Sequence, residues 1–217
     1  NCLLYSTNDK LYIGTYDGLG CLDIPTMDFV STYKTNRLLQ GDVIYALYED
    51  LHHNIWVGTS QGLKQLNPQT QKVRKYTISD GLPSNSISAI EGDANGNLWI
   101  STNFGISRFN PSTQTFVNFY ASDGLQGNEF SKGVSFASTK GEIIFGSTSG
   151  ITYFNPGEIT SPNKKPEIRI TDFYVHDKAV RLGMKSGRYD IVTTSVTNSD
   201  KFHLSHKDNS FSIELSA

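Results

Sequence analysis

An all-β fold is predicted, built from stacked four-stranded sheets as in a β-propeller with about four blades in an incomplete ring, followed by a truncated immunoglobulin-like β-sandwich. Three observations predict it. A five-residue apolar segment recurs at a nearly fixed interval, a second glycine follows each copy at a fixed offset, and the pattern gives way to a Ser/Pro/Asn/Lys stretch near residue 160.

The recurring segment is Leu11-Tyr12-Ile13-Gly14-Thr15, then Ile55-Trp56-Val57-Gly58-Thr59, Leu98-Trp99-Ile100-Ser101-Thr102 and Ile143-Ile144-Phe145-Gly146-Ser147. Its spacings are 44, 43 and 45 residues, and the following glycines are Gly18, Gly62, Gly105 and Gly150. A period of about 40–50 residues with four short strands per unit is what a propeller blade requires, because a blade covers its apolar faces only by stacking on its neighbours.

Within a repeat the first strand is exemplified by 42–49, the second is the apolar segment, the third is exemplified by 62–67 and the fourth by 72–77. Leu51-His52-His53-Asn54 and Ala94-Asn95-Gly96-Asn97 join first to second strands, and Asn67-Pro68-Gln69-Thr70 and Asn110-Pro111-Ser112-Thr113 join third to fourth. Their Asn, Gly and Pro content is turn chemistry. Trp56, Trp99 and Phe145 are read as equivalent second-strand residues that pack between blades. The sequence holds three full repeats and a fourth whose pattern fades after Asn155-Pro156-Gly157, so it reads as an arc cut from a larger ring.

The domain reading is therefore blades over 1–159, a connector over 160–166 and the opening of a sandwich over 167–217. In the last part, 167–175 and 210–215 alternate apolar and polar residues on a strand period. The 51 residues after the connector fall short of the roughly 100 of an immunoglobulin-type sandwich.

Composition excludes several classes. Nineteen basic against 21 acidic residues give a formal charge of -2, with no field to draw nucleic acid or an anionic membrane. No apolar run reaches the roughly 18 residues that span a bilayer, so no membrane contact is expected within these residues. The N-terminus lacks the basic and apolar regions of a signal peptide. Cys2 and Cys21 fall on the first and third strands of one sheet and are expected to be unpaired.

Catalytic motifs are rejected on their own residues. Gly146-Ser147-Thr148-Ser149-Gly150 has threonine where a nucleophile elbow needs its serine, and it ends a strand of a hairpin. Asp93, Asn95 and Asn97 start like a calcium loop, but Leu98 and Phe104 stand where the turn glycine and the bidentate glutamate belong. His203 and His206 lie in strand or loop, not on a helical face. No catalytic residue, metal site or cofactor is expected.

The segments 79–87, 93–100 and 105–111, with the weaker copy 122–130, resemble two-component regulator propeller repeats. Residues 165–175 and 207–213 resemble the opening of the tyrosine-motif domain that follows such propellers in hybrid two-component sensors. The resemblance implies a periplasmic, non-catalytic sensor region recognising an oligosaccharide, self-associating in the parent receptor and leading through the sandwich to a membrane helix and a cytoplasmic histidine kinase. A scaffold for protein assembly and a propeller lyase or hydrolase are the alternatives.

Ligands bind most often on the face bearing the loops from second to third strands and from each fourth strand to the next blade. Sugars need planar hydrogen-bonding groups and aromatic faces. Tyr16, Asp17, Asn103 and Phe104 from the first loop set, and Asn85 and Asn128 from the second, are the candidate ligand-binding residues, while Asp80, Gly81, Asp123 and Gly124 read as turn formers.

Overall fold

The computed structural model describes residues 1–30, 39–159 and 169–216, and the chain divides into two compact units, Asn1–Ser161 and Pro162–Ala217. The connector expected over 160–166 lies outside the described residues.

The first unit holds four antiparallel sheets. The first comprises β1 (Cys2–Tyr5), β2 (Lys10–Thr15), β3 (Gly18–Asp23) and β4 (Asp28–Phe29), and the second β5 (Ile44–Glu49), β6 (Ile55–Thr59), β7 (Gly62–Leu66) and β8 (Val73–Tyr76). The third comprises β9 (Ile87–Gly92), β10 (Leu98–Thr102), β11 (Ile106–Asn110) and β12 (Thr115–Phe119). The fourth has three strands, β13 (Phe130–Ala137), β14 (Ile143–Ser147) and β15 (Gly150–Phe154). Each sheet is a meander, and β1, β5, β9 and β13 lie beside one another in order, as the inner strands of propeller blades do.

Each blade interface joins unlike faces. Tyr12 packs with Ile55, Val57 and Leu66 of the second blade, Trp56 with Ile87, Ile100 and Phe109 of the third, and Trp99 with Ile143 and Phe145 of the fourth. Phe145 is thus the partner of Trp99 and not its equivalent. By register Trp56 faces Gln65 and Trp99 faces Arg108 on the neighbouring strand, while Ile144, not Phe145, faces Tyr153. One residue along a strand reverses the face, which corrects the sequence expectation for Phe145.

The turns between first and second strands carry a feature that recurs with the tryptophans. Asp50 Oδ1 accepts the His52 and Asn54 N–H groups, both at 2.9 Å, and Asp50 Oδ2 accepts the Trp56 indole N–H at 2.7 Å. Asp93 does the same for Asn95, Asn97 and the Trp99 indole, the last at 3.0 Å. The oxygens that resembled calcium ligands in the sequence therefore hold a turn and orient a buried ring. The third-to-fourth turns are held likewise by Asn67 and Asn110, whose side-chain oxygens accept two N–H groups each.

Ser101 stands where three other blades have Gly14, Gly58 and Gly146, and its hydroxyl is buried without a hydrogen-bond partner. A buried polar group left unpaired costs about 1–3 kcal/mol. Ser101→Ala keeps the Cβ and removes the hydroxyl, so it is expected to stabilise the chain by about 1 kcal/mol in urea unfolding, a loss of stability being the contrary result.

Cys2 and Cys21 are unpaired. Burial raises the Cys21 thiol to about 11, which makes it a poor nucleophile.

In the second unit β16 (Arg169–Val175) is flanked by β17 (Lys178–Ala179) and β20 (Phe211–Ser216), and β18 (Lys185–Ser186) pairs with β19 (Tyr189–Asp190). The two alternating segments seen in the sequence are thus hydrogen-bonded neighbours, antiparallel from Arg169↔Ser216 to Val175↔Phe211. A small core of Phe173, Val175, Val180, Ile191, Val192 and Val196 fills one side, with Phe202 stacked on Phe173 at 4.4 Å. Every residue of β20 is exposed.

Candidate functional site

The loops from second to third strands are each clamped by one hydroxyl. Thr15, Thr59, Thr102 and Ser147 donate to the carbonyls of Gly18, Gly62, Gly105 and Gly150 at 2.8–3.0 Å. The same oxygens accept the N–H groups of Asp17, Gln61, Phe104 and Ser149. Gly62 has φ +129°, and a Cβ there would lie 2.4 Å from the Tyr76 carbonyl. The two tip residues are thereby presented outward on a rigid hairpin.

The loops entering the third and fourth sheets are built alike. Asp80 accepts from the Thr77 N–H and hydroxyl, and Asn85 Oδ1 accepts the Ile78 N–H at 2.9 Å. Asp123 accepts from the Tyr120 N–H, and Asn128 Oδ1 accepts the Ala121 N–H at 2.7 Å. The side-chain oxygens of Asn85 and Asn128 are therefore engaged by backbone, and the two carboxylates act as caps.

The structure sorts the six candidates into two groups. Asn103 and Phe104 are exposed, and Asn103 is tied to the preceding loop through the Ser84 hydroxyl and the Ser86 carbonyl. Gly105 donates to the Asn128 carbonyl at 2.6 Å, and the Phe104 ring lies 5.6 Å from the Tyr120 ring. Asn85, Asn103, Phe104 and Asn128 thus belong to one patch spanning the loops of the third and fourth sheets. Tyr16 and Asp17 are exposed at the tip of the first blade, and none of their hydrogen bonds found joins that patch.

Sequence reading missed Ser84 and Tyr120. Ser84 precedes Asn85, and Tyr120 is the only aromatic at the start of either capped loop, which is the signal that marks it.

Lys132 was also missed. It stands on a register irregularity of β13 between Phe130 and Ser135, donates to the Ser86 hydroxyl at 2.6 Å and the Ile87 carbonyl at 3.3 Å, and lies 4.5 Å from the centre of the Tyr45 ring. Burial lowers its pKa from the ordinary lysine value. It is a strut from the fourth sheet to the second and third.

Two clefts lie on the opposite face. One of about 270 Å³ is lined by Thr7, Asn8, His52, His53 and Asn67, and one of about 410 Å³ by the turns at 92–95, 137–141 and 155–157. Among the described residues no group of three or more His, Cys, Asp or Glu is placed to hold a metal ion, and no helix is long and apolar enough to cross a membrane.

The geometry defines a class, a run of propeller blades displaying paired loop tips on one face. Residues 81–104 match the two-component regulator propeller family. The chain is 27% identical over 172 residues to Histidine kinase P4 of Formosa agariphila, a match covering 79% of this chain and 9% of that protein. It aligns with the extracellular domain of the putative hybrid two-component system BT3049 of B. thetaiotaomicron with a TM-score of 0.70 and 25% identity, over 98% of this chain and 28% of that one. A likeness to virginiamycin B lyase of Staphylococcus aureus, TM-score 0.53 and 19% identity over 77% of this chain and 58% of the lyase, reflects the fold alone. Residues 81–104 are thus similar to a two-component regulator propeller repeat, and the chain is similar over nearly its whole length to a sensor ectodomain. The chain spans 9% of the kinase and 28% of the solved ectodomain that it matches.

Proposed function

We propose that this chain is a ligand-sensing part of a hybrid two-component sensor histidine kinase, lies in the periplasm, and recognises an oligosaccharide at the patch formed by Asn103, Phe104, Asn128 and Asn85. Blades over 1–159, a connector over 160–166 and an immunoglobulin-like sandwich starting at 167 form its working parts, and the sandwich relays occupancy toward a membrane helix and the kinase of a paired receptor. Tyr16 and Asp17 make a second, separate contact point.

The observation that carries this reading is the rigid pairing of an exposed amide with an exposed ring at one hairpin tip, Asn103 beside Phe104, braced by Tyr120 and Ser84. An amide offers both donor and acceptor to a sugar hydroxyl, and a ring offers a flat apolar surface to the sugar's C–H face. Asp80 and Asp123, the carboxylates in the first turns of the two entry loops, are engaged as caps, which supports a structural role for both.

Calorimetric titration of the complete ectodomain with oligosaccharides of differing linkage and charge tests the reading. Phe104→Ala is expected to weaken the saturable ligand about tenfold with no change in melting temperature, since the ring is 53% exposed. Saturable binding indifferent to Phe104→Ala and Asn103→Ala would move the site elsewhere, and binding of a protein instead of a glycan would replace the ligand class.

A further inference from the structure

The inner strand of the fourth sheet departs from its counterparts at one place. Between the pairings Phe130↔Ser147 and Ser135↔Phe145, β13 advances five residues while β14 advances two; β5 and β9 advance two against one at the corresponding place. The larger bulge takes in Ser131, Lys132, Gly133 and Val134. Bulges re-aim side chains and are over-represented next to active sites. Gly133 adopts φ +68°, and a Cβ there would lie 3.8 Å from the Tyr45 carbonyl of β5. The bulge therefore leans past β9, from the fourth blade to the second, at the end of the inner strands that meets the loop-bearing face.

This detour aims Lys132 at the loop that carries Asn85. Its ammonium donates to the Ser86 hydroxyl, and the Ser86 carbonyl accepts the Asn103 N–H at 3.2 Å, so Ser86 stands between the cation and the Asn103-Phe104 tip. Two of the three N–H donors of the lysine are taken, by Ser86 at 2.6 Å and by the Ile87 carbonyl at 3.3 Å, and the Tyr45 ring steadies the cation from 4.5 Å.

All three of these partners are neutral. Among the described residues no carboxylate forms a salt bridge with Lys132. Burial disfavours its charged form, and the field of Glu129, three residues earlier, does not offset that. The carboxylates of the three entry loops are engaged elsewhere: Asp42 by Lys64 Nζ, Asp80 by the Thr77 N–H and Asp123 by the Tyr120 N–H, each at 2.8 Å. Beside the Asn103-Phe104 tip, a cation is thus held in place without an anion.

We propose, on the reading of the patch as a glycan site, that Lys132 sets the class of glycan: it receives an anionic substituent, a carboxylate or a sulfate ester, of an acidic oligosaccharide bound at Asn103 and Phe104. The third N–H of the ammonium is the donor, and the ligand brings the counter-charge that the protein does not supply.

Calorimetry on the complete ectodomain with matched pairs tests this, oligogalacturonate against its carboxyl-reduced form and a sulfated galactan oligosaccharide against its desulfated form. The acidic member of one pair should bind about tenfold tighter than its neutral counterpart, and which pair responds tells carboxylate from sulfate. Lys132→Met should erase that preference and Lys132→Arg should keep it, while Phe104→Ala should weaken both members alike. The preference should also shrink between about 0.1 M and about 1 M salt, where the screening length falls from about 10 Å to about 3 Å. A strut with no ligand contact would, when cut, weaken both members equally. Neutral glycans that bind as tightly as acidic ones, or a preference that survives in Lys132→Met, would overturn the role of Lys132 and leave the glycan site standing. No saturable binding of any glycan would remove the site and this role together.

Discussion

Trp56→Ala is expected to lower the stability of the first unit by about 3–5 kcal/mol, the range for truncating a fully buried tryptophan. The ring is 0% exposed and lies 5.6 Å from Phe109 of the next blade and 5.9 Å from Tyr76 of its own. The substitution empties the seal between two blades and deprives Asp50 Oδ2 of its 2.7 Å donor. Trp56→Phe separates the two effects: it keeps most of the packing and loses the indole hydrogen bond, so about 1–2 kcal/mol is expected. Urea unfolding followed by circular dichroism reads both, and equal losses for the two variants would show that the Asp50 bond, not the packing, dominates.

The second large effect is expected at Asp42. Its carboxylate lies 2.8 Å from Lys64 Nζ, a side chain only 3% exposed, and the pair joins the entry to β5 with β7. Asp42→Ala leaves a lysine charge inside the blade without its counter-charge. Removing one partner of a buried pair costs about 3–5 kcal/mol, and with Asp42 itself 18% exposed the lower end of that range is expected. Replacing both residues, Asp42→Ala with Lys64→Met, should recover most of the loss, since an apolar side chain needs no partner there. If the double variant were as unstable as the single one, the ion pair would not be the cause.

Asp42, Asn85 and Asn128 occupy equivalent places at intervals of 43 residues, and they show how far the sequence reached. The period, the strand order and the face bearing the loops were legible because each depends on local signals, turn residues at fixed offsets and apolar segments of fixed length. What those three side chains touch was not legible. Asn85 and Asn128 cap backbone seven residues earlier, while Asp42 reaches across to a lysine 22 residues on. The same limit explains Phe145. Its aromatic character suggested equivalence with Trp56, but its face depends on a one-residue register that only pairing reveals. Within the site, the hairpin tips were found from the repeat, whereas the grouping of Asn103, Phe104 and Asn128 apart from Tyr16 and Asp17 depends on contacts between blades.

The hydroxyl clamps have a consequence for how such a surface diversifies. At all four hairpins one threonine or serine holds the turn by bonds to its backbone, and Thr59 also reaches the Asp42 carboxylate, which is not a tip residue. The enclosed pairs are Tyr16-Asp17, Ser60-Gln61, Asn103-Phe104 and Thr148-Ser149, four unlike chemistries on one scaffold. Because the clamp reads no tip side chain, mutation can rewrite each pair with little damage to the chassis beneath it. Selection for a new specificity can then proceed tip by tip, with duplication of a blade adding another editable position.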